Sequence, residues 1–377
     1  MRPIQMVDLK QQYLNIKEEV DAAVIGVLES SAFINGPQVQ SFASALAAYN
    51  GVKHVIPCAN GTDALQIAMM ALGLKAGDEV IAPSFTYIAT TEVIALLGLK
   101  TVFVDVDPKT FCMDAEAIER AITPKTKAIV PVHLYGQAAP MEEIMALAKK
   151  HNLAVIEDNA QAIGSDYYFR DGSVKKTGSI GTVGCTSFFP SKNLGGYGDG
   201  GAIMTNDDAL AEKLKMVANH GQSKRYYHDV VGCNSRLDTI QAAILEIKLK
   251  HLDRYIDARR RVADAYDASF AAHPKIEAPF RHKRSKHVFH QYTLILEGLD
   301  RNALQTYLAA HNIPSMIYYP VPAHRQKMFQ NLSAEAQHLP VTDWLTERVI
   351  SLPIHTEMDD EQLQFITSKV LEFADKQ

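Results

Sequence analysis

SFFPSKNLGGYGDGG, residues 187–201, places a single lysine, Lys192, between an aromatic run and a cluster of glycines. Gly196 to Gly201 also spell G-x-G-x-x-G, the pattern of a dinucleotide-binding turn. The stretch therefore has three readings: a nucleotide loop, a reactive lysine or a plain surface turn. A working dinucleotide turn lies between a strand and a helix, so that the helix N-terminus faces the pyrophosphate. Here the glycines run into GAIMTND, which reads as a strand. The context is wrong for a dinucleotide, and the fold must be sought in the segments around it.

From about residue 52 to 206, short β-rich runs alternate with helical periods. The expected strands are HVIPC (54–58), EVIAP (79–83), TVFVDV (101–106), AIVPV (128–132), AVIED (154–158), GCTSFF (184–189) and AIMT (202–205). Helical stretches at 62–74, 87–97, 114–121 and 141–151 separate most of them. Buried strands joined by helices predict an α/β domain built on a large, mostly parallel seven-stranded sheet covered on both faces. Chemistry in such sheets gathers at the carboxyl ends of the strands. Residues 237–270 read as one long helix; after it come a basic loop, RHKRSKH (281–287), and a short α+β pattern. In that pattern QYTLILEG and SMIYYP are expected strands around a helix at 300–311. The expected division is a large domain at 1–250 and a small C-terminal domain at 251–377.

Composition sets the broad class. Hydrophobic residues make up 47% and charged residues 21% of 377 residues, the balance of a globular protein. A net charge of −5 argues against a nucleic-acid or anionic-membrane binder. No secretory leader and no run of about 18 apolar residues is visible, so no membrane partner is expected. The four cysteines lack C-x-x-C spacing, which fits reduced thiols in a cytoplasmic protein better than a disulfide framework or a metal site.

Three further segments bear on Lys192. EDNAQA ends a strand on Asp158, a carboxylate that is costly to bury without a positive partner. ANGTDAL (59–65) passes from strand through Gly61 into a helix, leaving free N–H groups beside the Thr62 hydroxyl, a good seat for a phosphate. FTY (85–87) brings aromatic rings to the next strand end. Lysine, acid, phosphate seat and flat ring together describe a pocket for pyridoxal 5′-phosphate. The amine must be neutral to attack an aldehyde, so it needs a dry setting, which SFFP would help to supply. Asp158 would hold the proton on the pyridine nitrogen; Gly61, Thr62 and Ser187 would hold the phosphate.

The blocks ANGTDAL, GDEVIAPSFTYIAT, VIEDNAQAIGS, TSFFPSKNLGGYGDGGAI and GCNSRLDTIQAAIL resemble the DegT/DnrJ/EryC1/StrS family of nucleotide-sugar aminotransferases. The resemblance covers nearly the whole chain and implies the aspartate aminotransferase fold, fold type I. Within the family the chain looks most like enzymes that aminate the 3-keto carbon of UDP-linked 2-acetamido hexuronic acids. The resemblance makes Lys192 the lysine that bonds the cofactor and shuttles protons, and Asp158 the partner of the pyridine nitrogen. It sets Gln161 on the ring hydroxyl, Tyr87 on the ring face, and Thr62 and Ser187 on the phosphate. Asn234 would reach the phosphate from a second subunit, implying a homodimer with shared sites. His220, Arg236, Tyr319 and His324 are candidates for substrate contact.

The implied reaction moves an amino group from L-glutamate to a keto-sugar nucleotide, UDP- or dTDP-linked, through pyridoxamine phosphate and with release of 2-oxoglutarate. Such amino sugars commonly enter surface polysaccharides. Rival readings are a 4-keto-sugar aminotransferase, a pyridoxamine-phosphate-dependent sugar dehydratase and a non-catalytic protein that holds the cofactor. Dehydratases of this fold carry histidine in place of the lysine, so Lys192 speaks against that one. The residue types also have plain structural readings. Asp158 and Asn234 can cap helices, Tyr87 can be a core aromatic, and the HVFH pair (287–290), metal-like in spacing, lacks a third ligand. Two features depart from the family pattern: Asn159, where a small apolar residue is expected, and DGSVKKTG (171–178), a long hairpin expected to reshape the substrate entrance.

Overall fold

The computed structural model describes residues 2–330 and 338–377. Seven strands form the central sheet in the order β1-β9-β8-β5-β4-β2-β3. They are β1 (His54–Cys58), β2 (Glu79–Pro83), β3 (Lys100–Val104), β4 (Thr126–Ile129), β5 (Ala154–Asp158), β8 (Val183–Ser187) and β9 (Gly201–Thr205). Only β9 runs against the others. Between β5 and β8 the hairpin β6 (Asp166–Tyr168) and β7 (Val174–Lys176) leaves the sheet.

The two-residue period of a strand sends alternate side chains to opposite faces. Val80, Ala82, Ala128 and Ile156 pack with the helices Gly61–Ala71 and Asp208–Ala218. Ile81, Ile129 and Val155 pack on the other side with Met141–His151. A sheet covered on both faces has no wet side, and accordingly every residue of β2 is buried.

A second core surrounds the three-stranded sheet β12 (Ile276–Glu277), β13 (Tyr292–Leu296) and β14 (Val349–Leu352). Helices Arg301–Ala310 and Asp360–Lys376 cover it, and Ile4 from the N-terminus joins it. The expected long helix is two, Thr239–Lys250 and Leu252–Phe270, separated at His251, where ψ falls to −2°. The break has a packing reason. Leu245, Leu249, Leu252 and Ile256 belong to one core, while Val262, Tyr266 and Phe270 belong to the other. SMIYYP is not a strand; it makes one isolated bridge, Met316 to Ser351, and its tyrosines turn toward the central sheet. A last small hairpin, β10 (Gln222–Lys224) and β11 (Tyr227–His228), stands on the surface. Among the described residues no helix is long and apolar enough to cross a membrane.

Candidate active site

At the carboxyl ends of β1, β2, β5 and β8 lies a cavity of about 660 Å³. Its walls include Gly61, Thr62, Tyr87, Asp158, Gln161, Ser187, Lys192 and Tyr319. Eight residues singled out in the sequence, spread over more than half the chain, thus share one chamber.

Asp158 closes β5 and is 6% exposed. Its carboxylate accepts hydrogen bonds from Thr90 Oγ1 (2.8 Å) and the Ala160 amide (3.1 Å). Two donors hold it in a fixed direction. The neighbouring Glu157 is fully buried and accepts from His133 Nε2 and the amides of Gly178, Ile180 and Gly181, which locks β5 to the turn that precedes β8. Gln161 is likewise oriented: Oε1 accepts from the Tyr135 amide (2.7 Å), so its NH₂ must face outward, donating to Tyr319 Oη (3.0 Å). Tyr87 is exposed and lies tilted near Tyr319, with ring centroids 6.2 Å apart.

The helix Gly61–Ala71 begins against β8. Asn60 caps it by accepting from the Asp63 amide, while the Asn60 carbonyl takes the Ala64 amide. The first N–H groups, those of Gly61 and Thr62, are not used by the helix and border the cavity with the Ser187 side chain. Gly61 is required by closeness: a Cβ there would stand 2.7 Å from Ser187 Cβ. The later glycines serve packing. A Cβ at Gly195 would meet the Pro190 carbonyl at 2.2 Å, and one at Gly196 would meet Gln241 at 2.8 Å. Gly201 opens β9, so the G-x-G-x-x-G letters precede a strand, as read from the sequence.

Burial lowers the pKa of Lys192 from its ordinary value to about 8, with Asp158 as the opposing influence. An amine so placed has a far larger neutral fraction near physiological pH than an ordinary lysine. These groups fit pyridoxal phosphate in kind. A neutral amine meets an aldehyde, a held carboxylate meets a protonated ring nitrogen, and a helix N-terminus too tight for a side chain meets a phosphate.

The remaining candidates stand elsewhere. Asn234 and His220 are exposed, Arg236 is half-buried, and none of the three borders the cavity. His324 lies behind the wall: its Nδ1 meets Ser84 Oγ at 2.7 Å and its Nε2 lies 3.7 Å from Asp343. It clamps the chain after Tyr319 to the end of β2 and does not line the chamber. The hairpin β6–β7 does not reach the entrance; it borders a separate cavity of about 350 Å³ with Tyr49 and Asn50. In the basic loop, Arg281 pairs with Asp264 and Asp267, and Arg284 with Glu142, which leaves neither arginine free for an anionic ligand. Asn159 is buried and donates to the Thr177 carbonyl (3.1 Å). Sequence reading passed over Thr90 and took His290 only as half of the metal-like HVFH pair; Thr90 had a signal, since FTYIATT puts hydroxyls at the start of the helix that follows β2.

The model of the DegT/DnrJ/EryC1/StrS aminotransferase family matches residues 14–371. The chain belongs to that family. One family relative, the UDP-2-acetamido-2-deoxy-3-oxo-D-glucuronate aminotransferase of Pseudomonas aeruginosa, is 47% identical, covering 96% of this chain and 98% of its own. A protein of Geobacillus stearothermophilus named pleiotropic regulatory protein is 46% identical over 98% of both chains. Among solved structures, DesV of S. venezuelae superposes with a TM-score of 0.94 at 38% identity, covering 100% of this chain and 99% of the other. The central sheet expected from sequence is the sheet of this family's fold.

Proposed function

We propose that the protein transfers an amino group from L-glutamate to the 3-keto carbon of a UDP-linked sugar. The observation that carries this reading is the meeting, in one cavity, of the Lys192 amine and the twice-anchored carboxylate of Asp158. Pyridoxal 5′-phosphate, when bound, supplies the electron sink for the reaction. Asp158 would hold a proton on the ring nitrogen; Gly61, Thr62 and Ser187 would hold the phosphate; Tyr87 would lie against the ring, and Gln161 would serve the ring hydroxyl. Lys192 Nζ removes the α-hydrogen of the donor as a proton and later delivers one to the sugar carbon that receives nitrogen. The 3-oxo group in the name of a relative 47% identical over nearly the whole chain favours C3 over C4.

Charge supports a homodimer with shared sites. The cavity sets Asp63, Asp158 and Asp199 against Lys192, yet it must take a phosphate and a nucleotide diphosphate. Cations supplied by a second copy would balance these charges. The surface segment 220–236 offers His220, Lys224, Arg225 and Arg236 beside Asn234, among the exposed Tyr226, Tyr227 and Val231. We infer that this segment reaches the cavity of a second copy. We also infer a division into two domains near residue 250 and a cytoplasmic setting, with which four unpaired thiols agree.

The test is a panel of UDP- and dTDP-linked 3-keto and 4-keto sugars incubated with L-glutamate, read by mass spectrometry together with 2-oxoglutarate. Amination of a UDP-linked 3-keto sugar is expected. Amination only at C4 would correct the regiochemistry. No 2-oxoglutarate with any acceptor would leave the regulatory role that one relative's name suggests.

A further inference from the structure

Behind the cavity wall, one buried tyrosine closes a ring of hydrogen bonds. The Tyr135 amide donates to Gln161 Oε1 (2.7 Å), and the Gln161 NH₂ donates to Tyr319 Oη (3.0 Å). The Tyr135 hydroxyl donates to the carbonyl of Tyr318, the residue before Tyr319. Tyr135 stands at φ +57° and ψ 3°, a conformation uncommon for a residue with a side chain. Its surroundings hold it there. The ring packs edge-on against Phe111, with centroids 5.2 Å apart, in a core shared with Phe85, Ile295 and Val349. The Tyr135 carbonyl accepts the Gln291 amide (3.3 Å), and the next residue, Gly136, lies so close to Phe289 that a Cβ would stand 2.9 Å from its nitrogen. Amide and hydroxyl of Tyr135 therefore have fixed directions, and each holds one side of the Gln161–Tyr319 contact.

We propose that Tyr135 is a positioning residue: by holding Gln161 and the Tyr318 carbonyl at once, it sets the Tyr319 hydroxyl as a fixed donor to the acceptor sugar. The proposal rests on the amino-transfer reading and deepens it. Tyr319 borders the cavity and Tyr135 does not, so Tyr135 acts through its neighbour. Tyr319 Oη accepts from Gln161, and among the described residues no group takes its own proton. That proton is left for a ligand in the chamber. Burial raises the pKa of both phenols above the ordinary value, so each keeps its proton at neutral pH. A neutral O–H suits the uncharged oxygens of a sugar, whereas the two carboxylates of glutamate call for cations.

The test compares wild type with Tyr135→Phe, which keeps the ring and removes the hydroxyl, with Tyr319→Phe, and with the double variant. In the loaded enzyme each single change should raise KM for the keto-sugar nucleotide about fivefold or more and leave KM for L-glutamate within about twofold. Adding Tyr135→Phe to Tyr319→Phe should alter the acceptor KM by less than about twofold, because the donor it positions is already gone. In the cofactor-free protein, a crystal structure of Tyr135→Phe should show the Gln161–Tyr319 contact lengthened past hydrogen-bond range. An unchanged acceptor KM, an equal rise for glutamate, full additivity of the two changes or a retained contact overturns the proposal. If Tyr135→Phe fails to fold, Tyr319→Phe decides alone, and an acceptor KM that stays in place overturns it. A wild type that makes no 2-oxoglutarate with any acceptor overturns instead the reading beneath it.

Discussion

Thr90 Oγ1 donates a 2.8 Å hydrogen bond to Asp158 Oδ2, across 68 residues of chain and inside the buried wall of the cavity. The hydroxyl lies on the helix after β2 and the acid at the end of β5, so two segments whose strands are separated by β4 fix the direction of one carboxylate. A hydrogen bond to a charged group contributes about 1.5–3 kcal/mol. Thr90→Val keeps the shape and removes the donor. Cofactor titration of the apoprotein should give a Kd about tenfold weaker than wild type. An unchanged Kd would show that Asp158 needs no second donor.

Gly61→Ala tests the phosphate seat. The new methyl would meet Ser187 Cβ at 2.7 Å, and neither backbone can yield without disturbing β8. Overpacking of this kind costs about 1–3 kcal/mol. Thermal unfolding should show a lower Tm, and free phosphate, which competes for the same seat, should protect the variant less than wild type.

Two lysines with lowered pKa values give the apoprotein a signature in pH. Burial lowers Lys192 to about 8 and Lys248 to about 7, both from an ordinary 10.5. Lys248 has no hydrogen-bond partner and faces the cation of Arg259. The unfolded chain binds these protons more tightly, so the penalty is constant below the folded values. Stability rises as pH climbs from about 7 toward 10.5. Lys248→Met should therefore raise Tm, by more at pH 6 than at pH 10. A Tm lowered equally at both would mean that the amine is satisfied in solution.

Shared sites predict complementation. Lys192→Ala acts in its own chain, whereas Asn234→Asp would act on the cavity of the partner. Each homodimer should be nearly inactive. Dissociated and remixed, the two should regain activity, because one site of each mixed dimer carries neither change. No recovery would place Asn234 in a structural role, such as ending the loop before helix Thr239–Lys250.

Much of this arrangement could be read before the fold was seen, for a physical reason. Residues at strand ends sit next to their own strands in sequence, so Asp158, Ser187 and Tyr87 carry local signals. The strands themselves are short apolar runs because both faces are covered. His290 carries no such signal; packing of Asn193, Gly136 and Arg259 against its segment brings it to the cavity wall. SMIYYP has β-favouring residues, but Tyr135 donates to the Tyr318 carbonyl and Gln161 holds Tyr319, and these contacts override the local preference. The break at His251 was invisible because helical spacing continues through it while the partner core changes.

The most direct test is chemical. The purified protein, loaded with pyridoxal phosphate, is reduced with borohydride, digested and mapped by mass. The cofactor's mass should appear on the peptide containing Lys192, and treatment with L-glutamate before reduction should remove it. A label on another lysine, or one that glutamate leaves in place, would contradict the account.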